Sequence, residues 1–208
     1  MSKLLLVICS TVFLTSCQKE AGFDDQNDGP GNGGNPANSN IIGEYDFVGL
    51  VVNTEAISTV SVPPDILKGV TTSFYTTVNN TGTVKITATN FISTGIGYEI
   101  HSTAHGITYL NGDLEMEFDF PMDAVVPPAN GSSPYTRITS DSLTMTGGLG
   151  VPDASGMVPT ATVGQKYRWS GDTLLFTTNA TTTHTVIDNG VPAVVNDKVS
   201  VISRLKKR

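Results

Sequence analysis

Three histidines and a short row of acids are the side chains whose types and spacing invite a chemical reading. His101 and His105, four apart, would share one face of a helix and could there ligate a metal. Tyr98-Glu99-Ile100-His101 alternates as a strand does, however, and on a strand those two Cα atoms lie about 13 Å apart. One zinc ion cannot bridge that distance. His184 stands among Thr181, Thr182, Thr183 and Thr185, which reads as a wet strand position. Glu115, Glu117 and Asp119 are two apart, roughly 7 Å on a strand, close to the carboxylate separation of inverting glycosidases. Their strict alternation with Leu114, Met116, Phe118 and Phe120 instead predicts a solvent face, and a catalytic acid needs a perturbing pocket. The row is expected to face a basic strand residue such as Arg204 or Lys206. No Gly-x-Ser-x-Gly elbow, phosphate loop or His-Glu-x-x-His string occurs. The residues predict no catalytic constellation, no cofactor and no metal, and so no enzyme.

What must position these groups is set first by the N-terminus. Lys3 precedes an apolar run, residues 4–14, too short to remain as a membrane span. It closes on Leu14-Thr15-Ser16-Cys17, which resembles a bacterial lipobox. The resemblance implies a lipoprotein signal peptide over residues 1–16 and lipidation of Cys17 as the new N-terminus. Cys9 would leave with the signal, so no disulfide or thiol-based site is expected in the mature chain. With Lys3 gone, 11 of the 12 Lys and Arg face 19 Asp and Glu. That balance excludes a basic nucleic-acid surface and a polybasic membrane patch, which leaves acyl chains to hold the membrane.

Residues 17–40 follow as lipidated cysteine and tether, rich in Gly, Asn and Asp and with almost nothing to bury. A flexible chain of this length spans about 26 Å. Asp24, Gln26, Asp28 and Gly29 echo an EF-hand loop, but Asn35 holds the position that needs a bidentate Glu. Gln18-Lys19-Glu20 with Asp24-Asp25 resembles the acidic signals that carry some lipoproteins to the outer face of the outer membrane. An ordinary solvated linker facing the periplasm is the other reading.

Residues 41–208 read as one all-β domain. Leu114 to Phe120 and Val84 to Thr89 alternate with period two. Val78-Asn79-Asn80-Thr81-Gly82-Thr83-Val84 is expected to be a hairpin turn between two such runs. A weak repeat of strand, polar turn and strand restarting at Leu recurs at residues 110–116, 137–146 and 168–177. Consecutive hairpins make an antiparallel meander, and closing it into an up-and-down barrel removes the edges. A two-sheet β-sandwich is the alternative. The Pro-rich segment 124–134 and the Gly-rich segment 147–164 are expected to be long rim loops or the join between sheets.

Ile42-Gly43-Glu44-Tyr45-Asp46-Phe47-Val48-Gly49, Tyr167-Arg168-Trp169-Ser170-Gly171-Asp172-Thr173-Leu174 and Val201-Ile202-Ser203-Arg204-Leu205-Lys206-Lys207 resemble the lipocalin-like domains of bacterial surface lipoproteins. The match covers the two ends and the hairpins. It implies a lipocalin-like barrel at the outer membrane, binding a small hydrophobic or amphipathic ligand. The aromatic residues would then line a cup. Trp169, Tyr167, Phe118, Phe120, Phe74 and Tyr98 are the candidate lining residues, with Tyr167 and Trp169 on one parity. A core filled by the same aromatics is the other reading. The domain would then be a non-enzymatic surface component contacting glycan or a partner protein. Asp141-Ser142-Leu143 and Asp172-Thr173-Leu174 resemble O-glycosylation sites of exported proteins, with Ser142 and Thr173 as acceptors on exposed turns. Plain hairpin chemistry explains the same strings.

Overall fold

The computed structural model describes residues 40–146, 162–188 and 190–208. The signal peptide, Cys17 and the tether expected from sequence lie outside these residues. All nine elements are strands: β1 (Gly43–Val62), β2 (Asp65–Thr76), β3 (Val78–Ile86), β4 (Asn90–Leu110), β5 (Asp113–Arg137), β6 (Ser142–Thr146), β7 (Thr162–Ser170), β8 (Thr173–Asp188) and β9 (Val191–Lys207). They form one antiparallel sheet rather than two, and its last strand pairs with its first, so the ladder runs in a ring. That pairing extends from Tyr45↔Lys207 to Val60↔Ala193.

β2 and β3 occupy successive stretches of the same gap between β1 and β4. β1 pairs with β3 through residues 43–46 and with β2 through residues 51–62. β4 likewise meets β3 and then β2. The expected hairpin at residues 78–84 is therefore absent, and the chain continues in one direction through a bulge. Asn79 and Gly82 do take positive φ, 48° and 98°, but they shift the register instead of reversing the chain. The same backbone freedom serves a turn or a bulge. Side chains supply what the interrupted ladder lacks. The Leu50 amide donates to Thr77 Oγ1 at 2.8 Å, and that hydroxyl donates to Asn80 Oδ1 at 2.6 Å.

Other turns follow the sequence closely. Asn111 and Gly112 close β4 onto β5 with φ of 54° and 95°, and Gly171 takes φ 62° between β7 and β8. Leu110 faces Asp113, and Ser170 faces Thr173. Both are two-residue hairpins, the tightest connection the sheet's twist allows. The segment 124–134 is not a loop. It belongs to β5, which pairs with β4 through Asn90↔Pro134 and with β6 only from Tyr135 to Arg137. Prolines are tolerated there because one side of the strand has no ladder to supply with N–H groups. Of the other expected loop, residues 147–161 lie outside the described residues, and Thr162 to Gly164 open β7.

Burial divides the sheet in two. Where β6 and β7 complete the ring, inward positions are fully covered: Tyr45, Val84, Ile86, Phe91, Leu143, Leu174, Phe176 and Leu205 have almost no exposure. Aromatic edges meet faces here, with Phe91 4.9 Å from Tyr135 and 5.3 Å from Phe176 between ring centroids. Each such side chain contributes about 1.5–3 kcal/mol. Tyr45 buries its ring yet satisfies its hydroxyl, which donates to the Ile41 carbonyl at 2.7 Å. Burial, with Tyr135 nearby, pushes its pKa up to about 12.

Beyond this end, β1, β2, β4, β5, β8 and β9 continue as a six-stranded extension. From Thr54 to Val60 both parities of β1 are half-exposed, so the sheet is wetted on each side. Gly82 is the tightest backbone contact in the bulge, since a Cβ there would sit 2.5 Å from the Gly95 carbonyl group. Gly82→Ala should cost at least about 2 kcal/mol of stability in a denaturant titration. Gly112→Ala, which meets open space, should cost about 1 kcal/mol.

Candidate functional site

The residues singled out by sequence do not converge on one cup. Tyr167 is buried at the filled end, where its hydroxyl donates to the Ser140 carbonyl at 2.6 Å and accepts from Arg137 at 2.5 Å. Trp169 shares its side of β7, half-buried, 6.2 Å from Tyr45 between ring centroids. Tyr98 is buried beside Phe47, also at 6.2 Å. Phe118 and Phe120 stand 5.9 Å apart on the extension. Phe74 lies on the opposite face of the sheet and is 66 % exposed. The interior at the ring-completing end is thus occupied by core aromatics, and only Phe118 and Phe120 of the six reach the open inner face.

That inner face is built row by row from the strand register. Phe118, Gly106, Thr71, Ala56, Asp197 and Thr182 lie opposite one another in turn across the six strands. The row nearer the core is Phe120, Ala104, Ser73, Thr54, Val199 and Ala180, and the row farther out is Met116, Thr108, Gly69, Ser58, Val195 and His184. The middle strands therefore contribute small residues, and β5 contributes large apolar ones. A Cβ on Gly106 would meet the end of the Phe118 ring at 2.6 Å, so this ring reaches over the glycine. Tyr75, Met122 and Val201, packed against the core, form the base. Across the face from the aromatic wall, His184 Nδ1 lies 3.5 Å from Asp197 Oδ2. The result is an apolar wall, a shallow floor and a polar far side.

Sequence alternation placed Leu114 and Met116 on the buried side of β5, but they are 60 % and 36 % exposed. β5 is an edge here, and nothing among the described residues packs over its apolar side. The polar far side was not read from sequence at all. Alternation puts His184 in phase with Thr182, but only the β8–β9 register brings Asp197 beside it.

The acids of β5 do occupy the opposite, solvent face. Their partners are the histidines of β4 and not Arg204 or Lys206. His105 contacts Asp119 at 2.8 Å and Glu117 at 3.2 Å, while His101 contacts Asp123 at 2.8 Å and Glu99 at 3.1 Å. Both histidines sit on one strand, as expected, each with its own pair of carboxylate contacts. Among the described residues no group of three or more His, Cys, Asp or Glu could hold a metal. Lys206 instead meets Asp172 at 3.6 Å.

The hydrogen bond to Asp123, then that to Glu99, holds the His101 pKa above its ordinary 6.5. Hydrogen bonds from Asn79 and His101 hold Glu99 below its ordinary 4.5. The contribution from His101 is therefore fully present below pH 6.5 and is lost as pH rises through the raised value. That from Glu99 is present above pH 4.5 and is lost as pH falls through the lowered value.

Of the two proposed glycosylation acceptors, Ser142 is not on an accessible turn. It begins β6, is 6 % exposed, and its Oγ lies 2.5 Å from Thr139 Oγ1. Thr173 begins β8, half-buried, with its hydroxyl donating to Asp172 at 3.1 Å. Two recesses open on the outside of the sheet. One, of about 410 Å³, is lined by Ile66, Lys68, Tyr109, Asn111 and Gly112 at the strand tips. The other, of about 160 Å³, includes Tyr98 beside Pro127 and Pro128. In the first, the Asn111 amide is already spent on Asp65 at 2.9 Å and on the Ile66 N–H at 2.9 Å.

Compared with known proteins, the chain matches no family model and no curated protein. A proton NMR titration should place the His101 pKa above 6.5, and Asp123→Asn should lower it; an unchanged value in the variant would contradict the pairing.

Proposed function

We propose that this chain is a lipid-anchored lipoprotein of the outer membrane, exposed at the cell surface, that binds a small apolar or amphipathic molecule without transforming it. On this reading the nine-stranded ring is a lipocalin-like up-and-down barrel with β2 and β3 sharing one strand position. One end is plugged by its own aromatics, and the ligand lies on the open inner face at the other.

The observation that carries the proposal is the distribution of side-chain size on that face. Ala104, Ser73, Ala56 and Gly69 leave a low floor beside Phe120, Met116 and Phe118, whose ring covers Gly106. An apolar body laid there would cover the exposed part of Met116. Apolar area removed from water contributes about 25 cal/mol per Å². Thr182, His184 and Asp197 stand where a polar end of the same molecule would be held. The His184 ring and the Thr182 hydroxyl offer hydrogen-bonding groups there beside Asp197, so a hydroxyl headgroup suits that side.

Native mass spectrometry of the full-length chain purified from its host should reveal a co-purifying small molecule. Phe118→Ser with Phe120→Ser should weaken retention of a fluorophore-labelled fatty acid at least tenfold. Trp169, the single tryptophan, packs at the plugged end, so its emission should stay unchanged as that fatty acid is titrated. An emission shift of Trp169 with no effect of the Phe variants would place binding elsewhere and overturn the proposal.

A further inference from the structure

We propose that the edge of β8 left uncovered among the described residues docks a second copy of this chain. β8 pairs with β9 along its whole length, from Thr173↔Lys206 to Asp188↔Val191. With β7 it pairs only from Thr173 to Thr177. From Thr178 to Ile187 its other side meets no strand among the described residues. An edge of this length presents a row of backbone donors and acceptors that a further strand can take up.

The sheet's two open edges differ in how they are defended. β5 carries Glu115, Glu117, Asp119 and Asp123 as well as Pro121, Pro127 and Pro128, the charges and prolines that block strand addition. β8 carries none. From Thr173 to Ile187 there is no Asp, Glu, Lys, Arg, Pro or Gly, and most residues are threonine or apolar. Two β5 edges brought together would set carboxylates against carboxylates, whereas two β8 edges bring no like charges opposite each other.

A second copy fits this edge by symmetry. Antiparallel pairing about a two-fold axis at Thr182 sets Thr181 opposite the partner's Thr183 and Ala180 opposite the partner's His184. Threonine pairs across strands are favourable, and the arrangement is closed because each copy offers the same segment. Ile187, 76 % exposed on its own, lies just beyond the segment that can pair, because Thr177 is already taken by Lys166 of β7. Residues directly opposite share a face, so the two extensions join into one sheet with both inner faces on the same side. This docking stands whether or not the inner face takes a ligand.

The test uses the full-length chain in detergent. Under mild oxidation Thr182→Cys should form a disulfide-linked dimer at least tenfold more efficiently than Thr59→Cys, which lies on a central strand. Cys9 and Cys17 are common to both variants and give a shared background. In the Thr182→Cys background, Thr181→Lys with Thr183→Lys should abolish the excess with the circular dichroism spectrum unchanged. Equal cross-linking of the two cysteine variants would overturn the proposal. So would capture of a different protein by Thr182→Cys, or a monomer whose 178–187 amides are protected from exchange.

Discussion

Pairing of β1 with β9 is the constraint on which the rest depends. It joins residues at opposite ends of the sheet's sequence, Tyr45 with Lys207 and Phe47 with Leu205, and it makes the sheet return on itself. Loop-closure entropy makes such long-range contacts slow to form. What repays the closure is the cluster it completes: Tyr45, Phe91, Leu143, Leu174, Phe176 and Leu205 become inaccessible to water only when the ring is whole. Arg208 continues the clasp, its guanidinium 2.7 Å from Asp46. That pair is exposed and adds little beyond fixing the register.

Ring and extension follow from unequal strand lengths. β6 and β7 are short, and their neighbours β5 and β8 run far past them. Where all positions are filled, aromatics pack inward and leave tight alternation of buried and exposed side chains. Beyond the described ends of β6 and β7, β5 and β8 are edges among the described residues and the inner face meets water. Function is assigned to that second region for a physical reason. A filled core has little left to recognise, and a half-covered apolar face has unmet burial.

The alternation of apolar and polar residues, and the Asn-Gly and Gly-Asp turns, made the all-β class and several hairpins legible in sequence. Three features were not. Asn79 and Gly82 carry the same left-handed preference in a bulge as in a turn, so composition could not separate the two. Pro127 and Pro128 read as loop residues because a sequence does not reveal which strand will be an edge. The acids of β5 were correctly sent to solvent, but their partners His101 and His105 depend on a cross-strand register that periodicity does not encode. The same gap explains the candidate site. Aromatic residues were easy to pick out, yet whether Tyr167 fills a core while Phe118 stands at an open face depends on which strands stop short.

Residue-resolved hydrogen exchange tests the division of the sheet most directly. Interior amides of residues 45–50 and 203–207 should exchange only by global unfolding, while those of 54–60 and 104–118 should open at markedly lower free energy. Uniform protection along β1 from Tyr45 to Val60 would contradict it.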